Sequence, residues 1–145
     1  MLSKVFINSV LLLISFSIAA QKKMWKEYES MPKPVINNAV TSATVNGAPF
    51  IYSFSGLGQS KDCGKNHIWS FRFDTSAKSW EVIVDLHDPK SGKIAAAAST
   101  VKNKIYIIGG YHVSNSCNER SSKKASIYDP EAKTYFADGA DIQRR

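Results

Sequence analysis

Two cysteines and a set of polar side chains carry most of the chemical potential of this chain. Cys63 and Cys117 stand 54 residues apart; in an oxidising compartment such a pair can bridge, and otherwise it remains two buried thiols. Around Cys117 the stretch 111–122 offers His112, Asn115, Asn118, Glu119 and Arg120, and around Cys63 the chain offers Asp62, Asn66 and His67. Amides, imidazoles and a planar guanidinium suit carboxylates and sugar hydroxyls, so these residues are candidate ligand contacts. The plainer reading is two polar loops covered by water. Asp85, His87 and Asp88 lack a fourth ligand and a defined spacing, so no metal site is expected there. The chain has no phosphate-binding glycine pattern, no nucleophile elbow and no Cys-x-x-Cys. No cofactor is implied, and no residue is assigned a catalytic role.

The elements that must position these side chains are β-hairpins. Residues 99–110 read as a strand end, a two-residue turn at Lys102 and Asn103, an apolar strand over 105–108, and a stop at Gly109 and Gly110. The same plan occurs earlier in the chain. Asn46 and Gly47 form the turn, and residues 50–56 match 104–110, with Ile51 on Ile105 and Tyr52 on Tyr106. Residues 71–80 then match 126–135, with Phe73 on Tyr128, Asp74 on Asp129 and Trp80 on Tyr135. Each Asp can turn the chain by accepting from its own backbone two residues on. Ala39, Ala43 and the four alanines 95–98 suit a crowded innermost strand. The cysteines fall in equivalent loops of the two copies, between second and third strands, and a bridge requires those loops to bring the Cα atoms within about 7 Å.

These residues resemble the kelch-repeat family, in 105–110 (Ile-Tyr-Ile-Ile-Gly-Gly), in 127–130 (Ile-Tyr-Asp-Pro), and in the aromatics Trp80 and Tyr135 beyond each Asp. Two departures stand out: residues 55–58 (Ser-Gly-Leu-Gly) replace a double glycine, and Tyr135 stands where the family prefers Trp. The resemblance implies an all-β, kelch-type β-propeller, with two four-stranded blades at about 35–85 and 93–137 and an N-terminal closing strand at 24–31. A third unit would start at 138–145, leaving the ring incomplete. On this reading the chain is an N-terminal piece of a longer propeller and self-associates through exposed strand edges. Trp80 and Tyr135 would wedge between blades. The implied function is a binding module that takes carbohydrate or protein through its loop face. The alternative is an isomerase similar to the exported bacterial kelch proteins of the sialic acid mutarotase or N-acetylneuraminate epimerase type.

Residues 1–20 have the pattern of a cleaved export signal: Lys4, an apolar run over 10–20, and small residues at Ser17, Ala19 and Ala20. Cleavage after Ala20 leaves 21–145, a mature chain without a membrane span, since Asn8, Ser9, Ser15 and Ser17 interrupt the apolar run. The formal charge of +7 is spread along all 145 residues. Export argues against nucleic acid as a partner; a solvated surface is the preferred reading of that charge, and acidic sugars or anionic polymers are the sharper alternative. The absence of any Asn-x-Ser/Thr triplet points to a bacterial source, hence to a periplasmic or extracellular location.

Overall fold

The computed structural model describes residues 25–60, 62–86 and 92–136. The expected export signal and the start of a third unit lie outside these residues. Among these residues nine strands form two antiparallel sheets. The first contains β1 (Ala39–Val45), β2 (Ala48–Leu57), β3 (Asn66–Asp74) and β4 (Ser79–Ile83), in that spatial order. The second contains β5 (Ile94–Val101), β6 (Lys104–Val113), β8 (Ser126–Asp129) and β9 (Thr134–Tyr135), again in order. The short strand β7 (Glu119–Ser121) pairs with the far end of β6. Each sheet is therefore built on a four-stranded meander, with β7 a fifth strand of the second, and we call them blades 1 and 2.

Local chemistry explains the turns. Asn46 and Gly47 both have positive φ (50° and 79°), as do Lys102 and Asn103 (48° and 57°), the geometry that matches strand twist in a two-residue hairpin. Asp74 Oδ1 accepts from the backbone N–H of Ser76 (2.8 Å) and Ala77 (2.9 Å), and Asp129 Oδ1 accepts from Glu131 (3.0 Å) and Ala132 (3.2 Å). These bonds favour the ionised carboxylates and hold both below the usual range; for Asp129 the leading cause is the Lys104 ammonium, 2.7 Å from Oδ2. Ser55 and Gly56 take φ values of 56° and 118°, so they reproduce the bend that Gly109 and Gly110 make at 70° and 74°. At Gly56 and Gly110 an added Cβ would sit 2.8 and 2.7 Å from the carbonyl oxygens of Ile36 and Ile94. The first copy thus keeps the double-glycine conformation with only one glycine.

The core lies between the blades. Tyr52 and Phe54 of β2 face Ile105 and Ile107 of β6 and Tyr128 of β8, and all five are fully buried. Their period-two spacing puts one face of each sheet on the other. Tyr128 packs on Tyr52 and Phe54 with centroids 5.9 and 5.7 Å apart, and Tyr135 lies 5.1 Å from Tyr128 with its hydroxyl 3.1 Å from Ser70 Oγ. Tyr135 is thus wedged between the blades. The innermost strands β1 and β5 meet through hydroxyls: Thr100 donates to the Ser42 carbonyl at 2.6 Å, which leaves Thr41 to donate to Thr100 at 3.2 Å. Of the alanines, Ala39 and Ala43 are buried, whereas Ala95 and Ala97 are exposed.

The closing strand expected over 24–31 has no ladder partner among the described strands, and residues 25–31 run irregularly over the outward face of blade 1. There the Trp80 indole N–H donates to the Glu29 carbonyl (3.0 Å), and Tyr28 packs on Phe73 at 6.0 Å. Pro32 and Pro34 lack the N–H groups that a ladder needs. The stretch 111–122, expected to be a loop, is largely a hairpin, because Tyr111, His112 and Val113 pair with Ser121, Arg120 and Glu119.

The buried row sets a stability test. Ile107→Ala should lower unfolding free energy by about 2–4 kcal/mol, from lost burial and the cavity left behind. The Tyr128 hydroxyl is buried with no hydrogen-bond partner among the described residues, and burial pushes its pKa up to about 12. Tyr128→Phe should therefore be neutral or stabilise by up to about 1 kcal/mol. Guanidinium denaturation midpoints distinguish the two outcomes.

Candidate functional site

The β2–β3 loop, the β6–β7 hairpin and the segment entering β5 come together at one end of the two blades. A disulfide joins Cys63 to Cys117, with Cα atoms 5.0 Å apart, so the two equivalent loops lean into contact. Gly64 follows Cys63 with φ 73° and lies against Asn115: a Cβ there would meet Asn115 Oδ1 at 1.9 Å. Only glycine fits this seam. On the other side of the bridge a tight turn is tied by Cys117 N–H donating to the Ser114 carbonyl (2.9 Å), and by Ser114 N–H donating to the Asn118 carbonyl (3.0 Å). Asn118 adds a backbone bond to Ser114 Oγ and an amide bond to Ser116 Oγ, both 3.1 Å.

The candidate residues fall into two groups. Asp62, Asn115, Asn118, Glu119 and Arg120 are exposed on the disulfide-tied rim, and Glu119 and Arg120 sit on β7, where the ladder with β6 fixes their spacing. Asn66, His67 and His112 lie deeper. Asn66 opens β3 and is only 9% exposed, and neither atom of its amide has a hydrogen-bond partner among the described residues. His112 Nδ1 is 3.1 Å from the Gly92 carbonyl oxygen. The backbone of His67 passes the same glycine, where a Cβ would come within 1.7 Å of the His67 carbonyl oxygen. The two histidines thus flank Gly92 at the entry to β5.

His67 stacks on Trp69 with centroids 3.7 Å apart and planes 12° apart, and Lys33 Nζ stands 3.7 Å from the Trp69 centroid. Burial, and secondarily the Lys33 charge, hold the His67 imidazole below its usual pKa. Ser55 joins this group. Its hydroxyl accepts from Lys93 N–H at 2.6 Å and lies within donating reach of the His67 carbonyl at 2.6 Å and the Lys93 carbonyl at 2.8 Å. Those bonds compensate for left-handed backbone in a residue with a Cβ, which costs about 1–2 kcal/mol. Lys93 is 1% exposed and donates through Nζ to the Lys124 carbonyl at 2.6 Å, tying the β5 entry to the segment after β7.

Ser55, Trp69, Gly92 and Lys93 were not legible as site residues. Only the Ser-Gly departure from the double glycine marked Ser55. Of the trio Asp85, His87 and Asp88, only Asp85 lies within the described residues. Among those residues no group of three or more His, Cys, Asp or Glu is arranged to hold a metal ion. No described helix is long and apolar enough to cross a membrane.

The site's own chemistry gives two tests. Cys117→Ser opens a bridge spanning 54 residues and should cost about 4 kcal/mol in the chain-entropy picture, read as a lowered denaturation midpoint. A loss below about 1 kcal/mol would mean that the loops are held without it. For His67, stability gained from the neutral ring is fully present above an unfolded pKa of about 6.5 and is lost as pH falls through the lower folded value. His67→Gln should flatten the dependence of melting temperature on pH between about 7 and about 5.

Comparison with known proteins places this geometry. The Kelch motif family matches residues 95–135, the body of blade 2. An F-box/kelch-repeat protein of Arabidopsis thaliana is 33% identical over 75 residues, covering 50% of this chain and 18% of its own length. Beta-scruin of Limulus polyphemus is 29% identical over 110 residues, 74% of this chain and 11% of its own. The solved structure of YjhT superposes with a TM-score of 0.53 at 19% identity, covering 75% of this chain and 28% of that one. The chain therefore spans less than a fifth of the curated relatives it matches. Residues 95–135 carry a kelch repeat, and the two sheets are two blades of the kelch-type β-propeller fold.

Proposed function

We propose that this chain is an exported kelch-repeat binding module whose disulfide-tied rim grips an acidic partner, either a glycan or a protein surface. The observation that carries this reading is the Cys63–Cys117 bridge. A bridge of this kind persists in oxidising compartments and resists motion of the loops it joins, which supports both export and a pre-organised surface. On that rim Asn118 is oriented by Ser114 and Ser116, while Arg120 is exposed beside it on β7. A guanidinium fork and a fixed amide make a donor set for carboxylates. Removal of the signal with Lys4 takes the formal charge from +7 to +6, which favours the approach of anions. Kelch relatives supply the broader expectation that such repeats bind partners, without naming this one.

Titration with sialylated and sulfated oligosaccharides, and with an acidic protein, tests the proposal. Arg120→Ala combined with Asn118→Ala should weaken binding at least about tenfold, which is about 1.4 kcal/mol, with the melting temperature unchanged because both residues are exposed. Reducing the disulfide should weaken binding in the same direction. Binding that survives both changes would move the site off this rim, and no binding of any acidic ligand would sink the reading.

A further inference from the structure

The Cys63–Cys117 bridge joins two loops that are each built without it. On the blade 2 side the turn 114–118 carries its own bonds: Cys117 N–H donates to the Ser114 carbonyl, Ser114 N–H to the Asn118 carbonyl, and Asn118 N–H to Ser114 Oγ. On the blade 1 side Lys65 N–H donates to the Asp62 carbonyl at 3.2 Å. Among the described residues no hydrogen bond or ion pair joins residues 62–66 to residues 113–121. The seam is held by the sulfur–sulfur bond and by the contact of Gly64 with Asn115. Neither cysteine belongs to the core cluster that packs the blades, so the bond can open while Tyr52, Phe54, Ile105, Ile107 and Tyr128 stay packed.

The two sulfurs differ in access. Exchange at a disulfide is an in-line displacement, in which the attacking thiolate approaches one sulfur from the side opposite the other. Attack on Cys117 comes over the stretch 114–121, where every residue is exposed, Cys117 included. Attack on Cys63 comes over its own loop, where Cys63 and Gly64 are half-buried and Asn66 is buried. Exposed disulfides are the ones that exchange with external thiols, whereas enclosed ones resist them.

We infer that Cys117 is a thiol-exchange site: a small-molecule thiol of the glutathione class attacks its sulfur in the folded protein and opens the rim reversibly. In the first step the small thiolate forms a bond to Cys117 Sγ, the bond between the two cysteines breaks, and Cys63 leaves as a thiolate that takes up the proton the small thiol gave away. In the second step another small thiolate attacks the small-molecule sulfur of the mixed disulfide. The oxidised dimer of the small thiol departs, and Cys117 is released as a thiolate and protonated. Two small thiols are thus oxidised and the bridge is reduced. Attack of the Cys63 thiolate on Cys117 Sγ of the mixed disulfide runs the first step backwards and closes the bridge. While it is open, the loop carrying Asp62 is no longer tied to the turn carrying Asn118, so exchange regulates the rim. That consequence rests on the binding role proposed for the rim. The exchange itself does not, because it is read without a ligand.

The folded, oxidised full chain mixed with reduced glutathione, quenched by alkylation at successive times and mapped by peptide mass, tests the site. The expected product carries glutathione on Cys117 and the alkyl label on Cys63, in at least about tenfold excess over the opposite arrangement. The opening rate should be proportional to thiolate concentration and unchanged by urea well below the unfolding transition. In a second measurement oxidised glutathione should modify the Cys63→Ser variant at least about tenfold faster than the Cys117→Ser variant. If either variant fails to fold, the wild-type kinetics decide. Opening at a rate independent of thiol, which would mean that the bond waits on unfolding, overturns the inference. So does glutathione mainly on Cys63, or a folded chain that does not react.

Discussion

Tyr52 and Phe54 of one blade, and Ile105, Ile107 and Tyr128 of the other, are removed from water in one cluster that spans both blades. A four-stranded sheet of this size has an apolar face and no way to cover it alone, so each blade is stable only against a neighbour. The contact also fixes more than stability. Side chains alternate along each strand, so turning one face inward dictates the direction of every other residue on β2, β3, β6 and β8. Once Tyr128 sits between Tyr52 and Phe54, the second and third strands of both blades end at the same level. Their loops then emerge side by side.

That side-by-side emergence lets Cys63 reach Cys117. The bridge is a consequence of blade packing, and in turn it stiffens the rim that packing exposes. Beneath the rim the backbone is crowded: Gly64 against Asn115, Gly92 against the His67 carbonyl, and Ser55 in left-handed conformation with its hydroxyl among three backbone groups. Such crowding is tolerated because each close approach either uses a glycine or gains hydrogen bonds. It yields a rim whose outer residues, Asp62, Asn115, Asn118, Glu119 and Arg120, are exposed above a crowded backbone.

The turns and the repeat were legible because their causes are local. Asn46-Gly47 and Lys102-Asn103 adopt positive φ within two residues, and Asp74 and Asp129 bond backbone groups two and three residues on. The candidate site was legible only as a set of polar residues. Asn66 looked like its neighbours in the chain, yet it is buried at the start of β3, while Asp62 on the preceding loop and Arg120 on β7 are exposed. Likewise, the stretch after Gly110 carried no alternating apolar pattern, so β7 could not be read: its three residues are all exposed and it is held by backbone bonds to β6.

By itself, then, the sequence determined the all-β class, the two copies, the hairpin turns and the equivalent placement of the two cysteines, since each follows from residue types at short range or from a repeated spacing. Tertiary structure alone decided that the cysteines meet, that Ser55-Gly56 takes the conformation of Gly109-Gly110, and that Tyr135 faces a blade while Trp80 faces the segment 25–34. The physical reason is that burial and close approach are properties of pairs of surfaces distant in the chain. A strand records which residues alternate, but not which of its two faces finds a partner.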